Sequence, residues 1–94
     1  DDLRESPALK FFNYFKKKRI KFDYCDPYIP EVKNNQINKK SIKLNYKNFS
    51  NYNVIILLTA HNLFDQKKII KNSNVVIDTR GHFMNYENKK IYSI

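Results

Sequence analysis

Apolar residues recur at helical spacing near the start of the chain. Ala8, Phe11, Phe12 and Phe15 share one face of a helix predicted over 7–18. Ser6 is a good N-cap, and Pro7 suits the first helical position, where no amide hydrogen is needed. Asp1, Asp2 and Glu5 add negative charge at the positive end of the helix dipole. A strand is expected over 20–25, closed by a turn over 26–30 with two prolines. Residues 31–40 are polar and read as a loop. A short strand over 41–44 and one helical turn over 45–49, capped by Asn45, follow. Val54, Ile55, Ile56, Leu57 and Leu58 form an unbroken apolar run, so 53–59 is the clearest buried strand. Asp65 starts a helix through 72 that buries Ile69 and Ile70. Strands over 75–78 and 89–93 complete the pattern.

Strands alternating with helices imply an α/β layer with parallel pairing. Ninety-four residues make one small domain, 1–94, with a modest core. Hydrophobic content of 41% and aromatic content of 15% argue for folding rather than disorder. No stretch approaches the length of a membrane span, and no signal-peptide pattern is present. The chain opens on Asp1 and is read as a piece of a longer polypeptide.

A formal charge of +9 raises nucleic acid or an anionic surface as a partner. Two features weigh against that. Lys (15) far outnumbers Arg (3), with abundant Asn (13) and Ile (11), the pattern of an A/T-rich coding sequence. The lysines are also spread along the chain, and the run Lys16, Lys17, Lys18, Arg19 sits at a helix C-terminus, where cations favour the dipole. No nucleic-acid or membrane partner is therefore expected. Cys25 is the only cysteine, which excludes an internal disulfide and makes a thiolate metal site unfavourable. A single Cys fits a reducing, cytoplasmic setting.

The chain has one glycine, Gly81, so it holds neither a GxGxxG loop nor a Walker loop. His61 and His82 cannot form a metal site alone, and His61 reads as ordering a loop. Cys25 precedes an Asp-Pro step and reads as a structural residue, so no catalytic residue is assigned. Asp26 reads as capping the turn that follows it. What remains is binding. In open α/β sheets, ligands sit outside the carboxyl ends of the strands, and Arg80 follows the strand over 75–78. Its planar, five-donor head suits phosphate, ribose or a stacked base. The competing reading is a salt bridge to Asp78 or Asp26. Arg4 is the second candidate. It precedes a helix N-terminus, itself an anion site, but Asp2 and Glu5 crowd it and favour a carboxylate pair.

Four segments in order carry a resemblance to a known family. They are Asp2, Leu3, Arg4, Glu5, Ser6, Pro7, Ala8; then Tyr24, Asp26, Pro27, Tyr28, Pro30; then Thr59, His61, Phe64, Asp65; then Asp78, Thr79, Arg80. The chain resembles the C-terminal UDP-binding domain of the UDP-glucose/GDP-mannose dehydrogenase family, near its UDP-N-acetylmannosamine dehydrogenase-like members. It departs from the pattern at Lys18 and Arg19, where Gly is usual, at Ala60, where an acid is common, and at Gly81, where Asn is frequent.

The resemblance implies a partial Rossmann-like fold, a mostly parallel sheet flanked by helices, lacking the family's first strand. It implies the UDP-sugar-binding lobe of an NAD-dependent 6-dehydrogenase, which oxidises a C6 alcohol to a carboxylate. It assigns UDP contact to Arg80; Arg4 stays a substrate-binding candidate on its position before the helix. NAD would be bound by another, N-terminal domain of a cytoplasmic parent enzyme, a homodimer or higher oligomer that serves polysaccharide biosynthesis. The alternatives are a small basic nucleic-acid-binding module and an inactive truncated fragment.

Overall fold

The computed structural model describes residues 7–33, 37–58, 64–81 and 89–93. The chain divides into two compact units, Asp1–Leu44 and Asn45–Ile94.

The first unit is built on α1, Pro7–Lys17, which begins at the proline as its fixed φ favours. The aromatic face forms as the spacing predicts. Phe12 is buried with Val32 and Ile37, and Ala8, Leu9, Phe11, Phe22, Tyr24 and Ile29 pack around them. Phe12 lies 5.1 Å from Phe22 and 5.3 Å from Tyr24, ring centre to ring centre, within the range where tilted rings attract.

The expected strand over 20–25 does not form. A strand needs a ladder, and among the described residues the backbone bond from Ile42 N to the Tyr24 carbonyl at 2.9 Å does not make one. Its alternating residues instead lay Phe22 and Tyr24 against α1. Residues 31–40, expected as a loop, contain an antiparallel pair: β1 (Glu31–Lys33) with β2 (Asn38–Lys40), Val32 opposite Lys39. Each arm buries one aliphatic residue, Val32 or Ile37, so the hairpin reads as polar in sequence. Lys39 shares the buried face. Its ammonium donates to the Phe22 carbonyl and sits 4.3 Å from the centre of the Phe22 ring, while its stem covers apolar surface. No strand forms over 41–44 either; Ser41 serves the neighbouring turn instead.

The end of α1 explains one departure from the family pattern. Ile20 N bonds the Phe15 carbonyl at 2.8 Å and Arg19 N bonds that of Lys16 at 3.1 Å, with Arg19 at φ 59°. This is a Schellman cap, whose left-handed position favours Gly because a side chain there is strained by about 1–2 kcal/mol. Arg19→Gly is expected to raise the unfolding free energy by about 0.5–1 kcal/mol, after the extra freedom of Gly in the unfolded chain is subtracted. Urea unfolding checks it; a less stable variant would exclude this origin of strain.

The second unit opens with a 3-10 helix, Tyr46–Asn51, capped by the Asn45 side chain, which accepts from Lys47 N. A strand–helix–strand unit follows: β3 (Ile55–Leu57), α2 (Gln66–Asn72) and β4 (Val76–Asp78). Asp65 caps α2 by accepting from Lys68 N at 3.1 Å, as its position before the helix predicts. A last strand, β5 (Ile91–Ser93), pairs parallel to β4, giving a three-stranded parallel sheet in the order β3-β4-β5. Ile55, Val76 and Ile91 stand in register, so one face lines up apolar residues against α2. Leu57, Ile69, Ile70 and Val76 form the buried core there, with Tyr46, Phe49, Ile55, Phe64 and Ile91 around it. The C-terminal carbonyls of α2 are held by Lys90, whose ammonium donates to Ile70 O at 3.0 Å. Mixed helices and strands with parallel pairing agree with the expected α/β class.

Candidate functional site

Parallel strands end together, so β3, β4 and β5 leave one edge of the second unit lined by their carboxyl ends. At that edge Leu57, Asp78 and Ser93 stand side by side in register. The chain leaves β4 through Thr79, Arg80 and Gly81, and the first two steps are tied down. Thr79 donates twice to the Leu57 carbonyl, from its amide at 3.2 Å and from Oγ1 at 2.7 Å. The Asp78 Oδ1 accepts from the Arg80 amide at 3.0 Å, closing a small side-chain-to-backbone turn. Gly81 then takes φ 68°. A Cβ there would meet nothing within 4 Å, so backbone conformation alone disfavours a side chain. Asn, the residue frequent in the family at this position, is the other type that readily adopts it.

Asp78 is wholly buried, with 0% exposure, whereas Arg80 is exposed. The structure thus places the Arg80 side chain just beyond a strand's carboxyl end, where an open α/β sheet presents ligand-binding groups. The carboxylate of Asp78, read from sequence as a possible ion-pair partner for Arg80, bonds the Arg80 backbone. Sequence reasoning missed this use of Asp78 and the double bond from Thr79. The pattern of Asp two residues before Arg at a strand end is the signal that could have revealed the first. Arg4 and His61 lie outside the described residues, as do the other residues of 1–6.

The first unit holds the other candidates. Asp26 closes its turn as expected: Oδ1 accepts from Tyr28 N at 2.8 Å, and its carbonyl accepts from Ile29 N at 3.1 Å. Ser41 Oγ accepts from Asp26 N at 2.8 Å, which ties the turn to the end of the hairpin. The Tyr24 hydroxyl donates to the Ile29 carbonyl at 2.9 Å. These bonds account for Asp26 as a turn residue. Among the described residues, no group of three His, Cys, Asp or Glu could hold a metal ion. No described helix is long and apolar enough to cross a membrane.

Cys25 is a half-buried free thiol. Burial pushes its pKa above the ordinary 9.0, and the Asp26 carboxylate pushes the same way, against a hydrogen bond involving Ser41. Tyr24 is likewise raised above 10.0, first by burial and then by Asp26 and Glu31. An activated nucleophile needs the opposite shift. A group whose pKa is higher folded than unfolded holds its proton more tightly in the fold. Its stabilising contribution is complete below the unfolded value and is lost as pH rises through the folded value. The protein is therefore expected to lose stability above about pH 9, with a smaller alkaline loss in Cys25→Ser. Urea unfolding across that range measures it; an unchanged alkaline slope in the variant would remove Cys25 as a contributor. Iodoacetamide should also alkylate Cys25 more slowly than free cysteine at neutral pH.

One comparison with known proteins agrees with the motifs. The family model for the UDP binding domain of the UDP-glucose/GDP-mannose dehydrogenase family matches residues 1–85. No curated protein and no solved structure matches the chain. The chain belongs to the UDP-glucose/GDP-mannose dehydrogenase family, as its UDP-binding domain.

Proposed function

We propose that residues 1–94 form one UDP-sugar-binding domain of a longer, NAD-dependent nucleotide-sugar 6-dehydrogenase. In this reading Arg80 holds the UDP part of the substrate, and Arg4 lies beside it. The observation that carries it is the anchored turn at the carboxyl edge of the parallel sheet, which presents an exposed Arg80 in a chain where Lys far outnumbers Arg. Guanidinium suits a diphosphate because its planar fork gives paired, charge-assisted hydrogen bonds.

The substrate lobe binds and orients; oxidation of the C6 alcohol to the carboxylate of a UDP-uronic acid takes place elsewhere in the parent. This chain does not fit NAD. With one glycine it cannot build the close approach to a pyrophosphate that a dinucleotide site requires. Nor does Cys25 fit a covalent role, since its environment favours the protonated thiol. Both groups belong to other parts of a cytoplasmic, oligomeric enzyme that supplies surface polysaccharide synthesis. The family's Rossmann-like sheet would be completed by a strand that precedes the first motif.

Titration with UDP and with a DNA oligonucleotide, each at low and high salt, tests the reading. Saturable UDP binding that tolerates salt is expected. DNA binding with a steep salt dependence and no UDP binding would favour the basic-module alternative, which the charge of +9 keeps in view. The chain alone should make no NADH from UDP-glucose, UDP-N-acetylglucosamine or UDP-N-acetylmannosamine. Turnover above that of Cys25→Ser would overturn the exclusion of Cys25.

A further inference from the structure

We propose that Asp78 and Thr79 are positioning residues that set the direction of Arg80, an inference that rests on Arg80 being the UDP-binding group. Three hydrogen bonds converge on the two residues before the Arg80 side chain. Two from Thr79 go to the Leu57 carbonyl on β3, and one from Arg80 N goes to Asp78 Oδ1. After Arg80 the chain turns at once through Gly81 in the left-handed region. The Arg80 Cα is thus anchored from its amino-terminal side, which leaves less of the chain to be ordered when a ligand arrives. Fixing the backbone beforehand lowers the entropy lost on binding.

The burial of Asp78 sharpens the argument. It stands in the centre strand between Leu57 and Ser93, wholly out of solvent. A buried carboxylate is a poor source of stability: desolvation opposes it, and an aliphatic residue of similar volume often folds as well or better. Its neighbour one turn of the pleat away, Val76, is equally buried and apolar. One thing the carboxylate does at this edge is accept from the Arg80 amide at 3.0 Å. Asn at this position would keep an acceptor oxygen for that amide; Leu would not.

UDP affinity by isothermal titration calorimetry of the full chain, with melting temperatures alongside, tests this on five variants. Arg80→Ala should weaken UDP binding by about tenfold or more. Asp78→Leu should weaken it by nearly as much, whereas Asp78→Asn should stay within about threefold of the parent. The double variant Asp78→Leu with Arg80→Ala should bind no worse than Arg80→Ala alone, because Asp78 acts only through Arg80. Generalised damage to the fold would give additive losses instead, and would overturn the proposal. Thr79→Val keeps the shape, loses the Oγ1 bond and should bind about threefold more weakly at an unchanged melting temperature. It stands in if Asp78→Leu does not fold, and parent-like affinity in Thr79→Val would then overturn the proposal. If Arg80→Ala weakens binding while folded Asp78→Leu binds as the parent does, Arg80 remains the UDP group and the positioning role is wrong. If Arg80→Ala binds UDP like the parent, the Arg80 assignment fails, and the positioning role with it.

Discussion

Ile69→Ala is expected to lower the unfolding free energy by about 2–4 kcal/mol. Ile69 is 3% exposed and lies in α2 against Leu57, Ile70 and Val76. Truncation removes buried methyl and methylene groups and leaves a cavity that the parallel strands beneath cannot fill, since their hydrogen-bonded spacing is fixed. Alanine is the better helix former, by about half a kcal/mol, so the packing loss is partly masked. Lys67→Ala gives the control: it makes the same change of propensity type on the exposed side of the same helix. It should stay within about 0.5 kcal/mol of the parent. For a chain of this size the whole stability is about 5–14 kcal/mol, so the Ile69 loss is a large fraction of it. Urea unfolding with comparable slopes for both variants measures the difference. A loss below about 1 kcal/mol for Ile69→Ala would mean that α2 does not seal the sheet as described.

The same cluster shows why much of the second unit was legible in the sequence. The run Val54 to Leu58, the cap at Asp65 and the spacing of Ile69 and Ile70 each point to one element, and the elements agree with one another. β3 and β4 are buried on the α2 face, so their sequences carry an apolar signal that turn and loop residues cannot imitate. The first unit was harder. Its strand pair exposes most of its residues, and Val32 and Ile37 alone carry the pattern. The segment from Ile20 to Cys25 has the composition of a strand, yet strand formation depends on a partner, and alternation says nothing of whether one is present. Residues that departed from the family pattern were informative in a different way. Arg19 and Gly81 are the positive-φ positions of the described chain. At the first, a residue poorly suited to that conformation replaces the usual Gly; at the second, Gly replaces an Asn that adopts it with little strain. The position of Arg80 beyond its strand followed from the motif and the strand-end rule. The bonds that hold it there were less legible: Asp two residues before Arg allows a side-chain-to-backbone turn, but the double hydrogen bond from Thr79 to Leu57 depends on the neighbouring strand, which no local pattern shows.

In a dehydrogenase that carries this domain, Arg80→Ala is expected to raise KM for the UDP-sugar and to weaken inhibition by UDP by similar factors, each about tenfold or more. The equality matters. UDP lacks the sugar that reacts, so an interaction lost equally by substrate and by UDP is made to the nucleotide part. Such an interaction is present in both the ground state and the transition state, and its loss raises KM while kcat falls little. A large fall in kcat at unchanged KM would instead put Arg80 near the reacting carbon. Arg80→Lys separates charge from shape. Lysine keeps the positive charge but offers a single ammonium in place of a planar fork, so the paired hydrogen bonds to a diphosphate are lost. Its KM should lie between those of the parent and Arg80→Ala. The exposure of Arg80 makes these variants readable, because removing an exposed side chain at the end of an anchored turn leaves the core of Leu57, Ile69, Ile70 and Val76 untouched. Melting temperatures equal to the parent's are therefore expected for both. Unchanged KM and unchanged UDP inhibition in folded Arg80→Ala would end the assignment of Arg80 to the nucleotide.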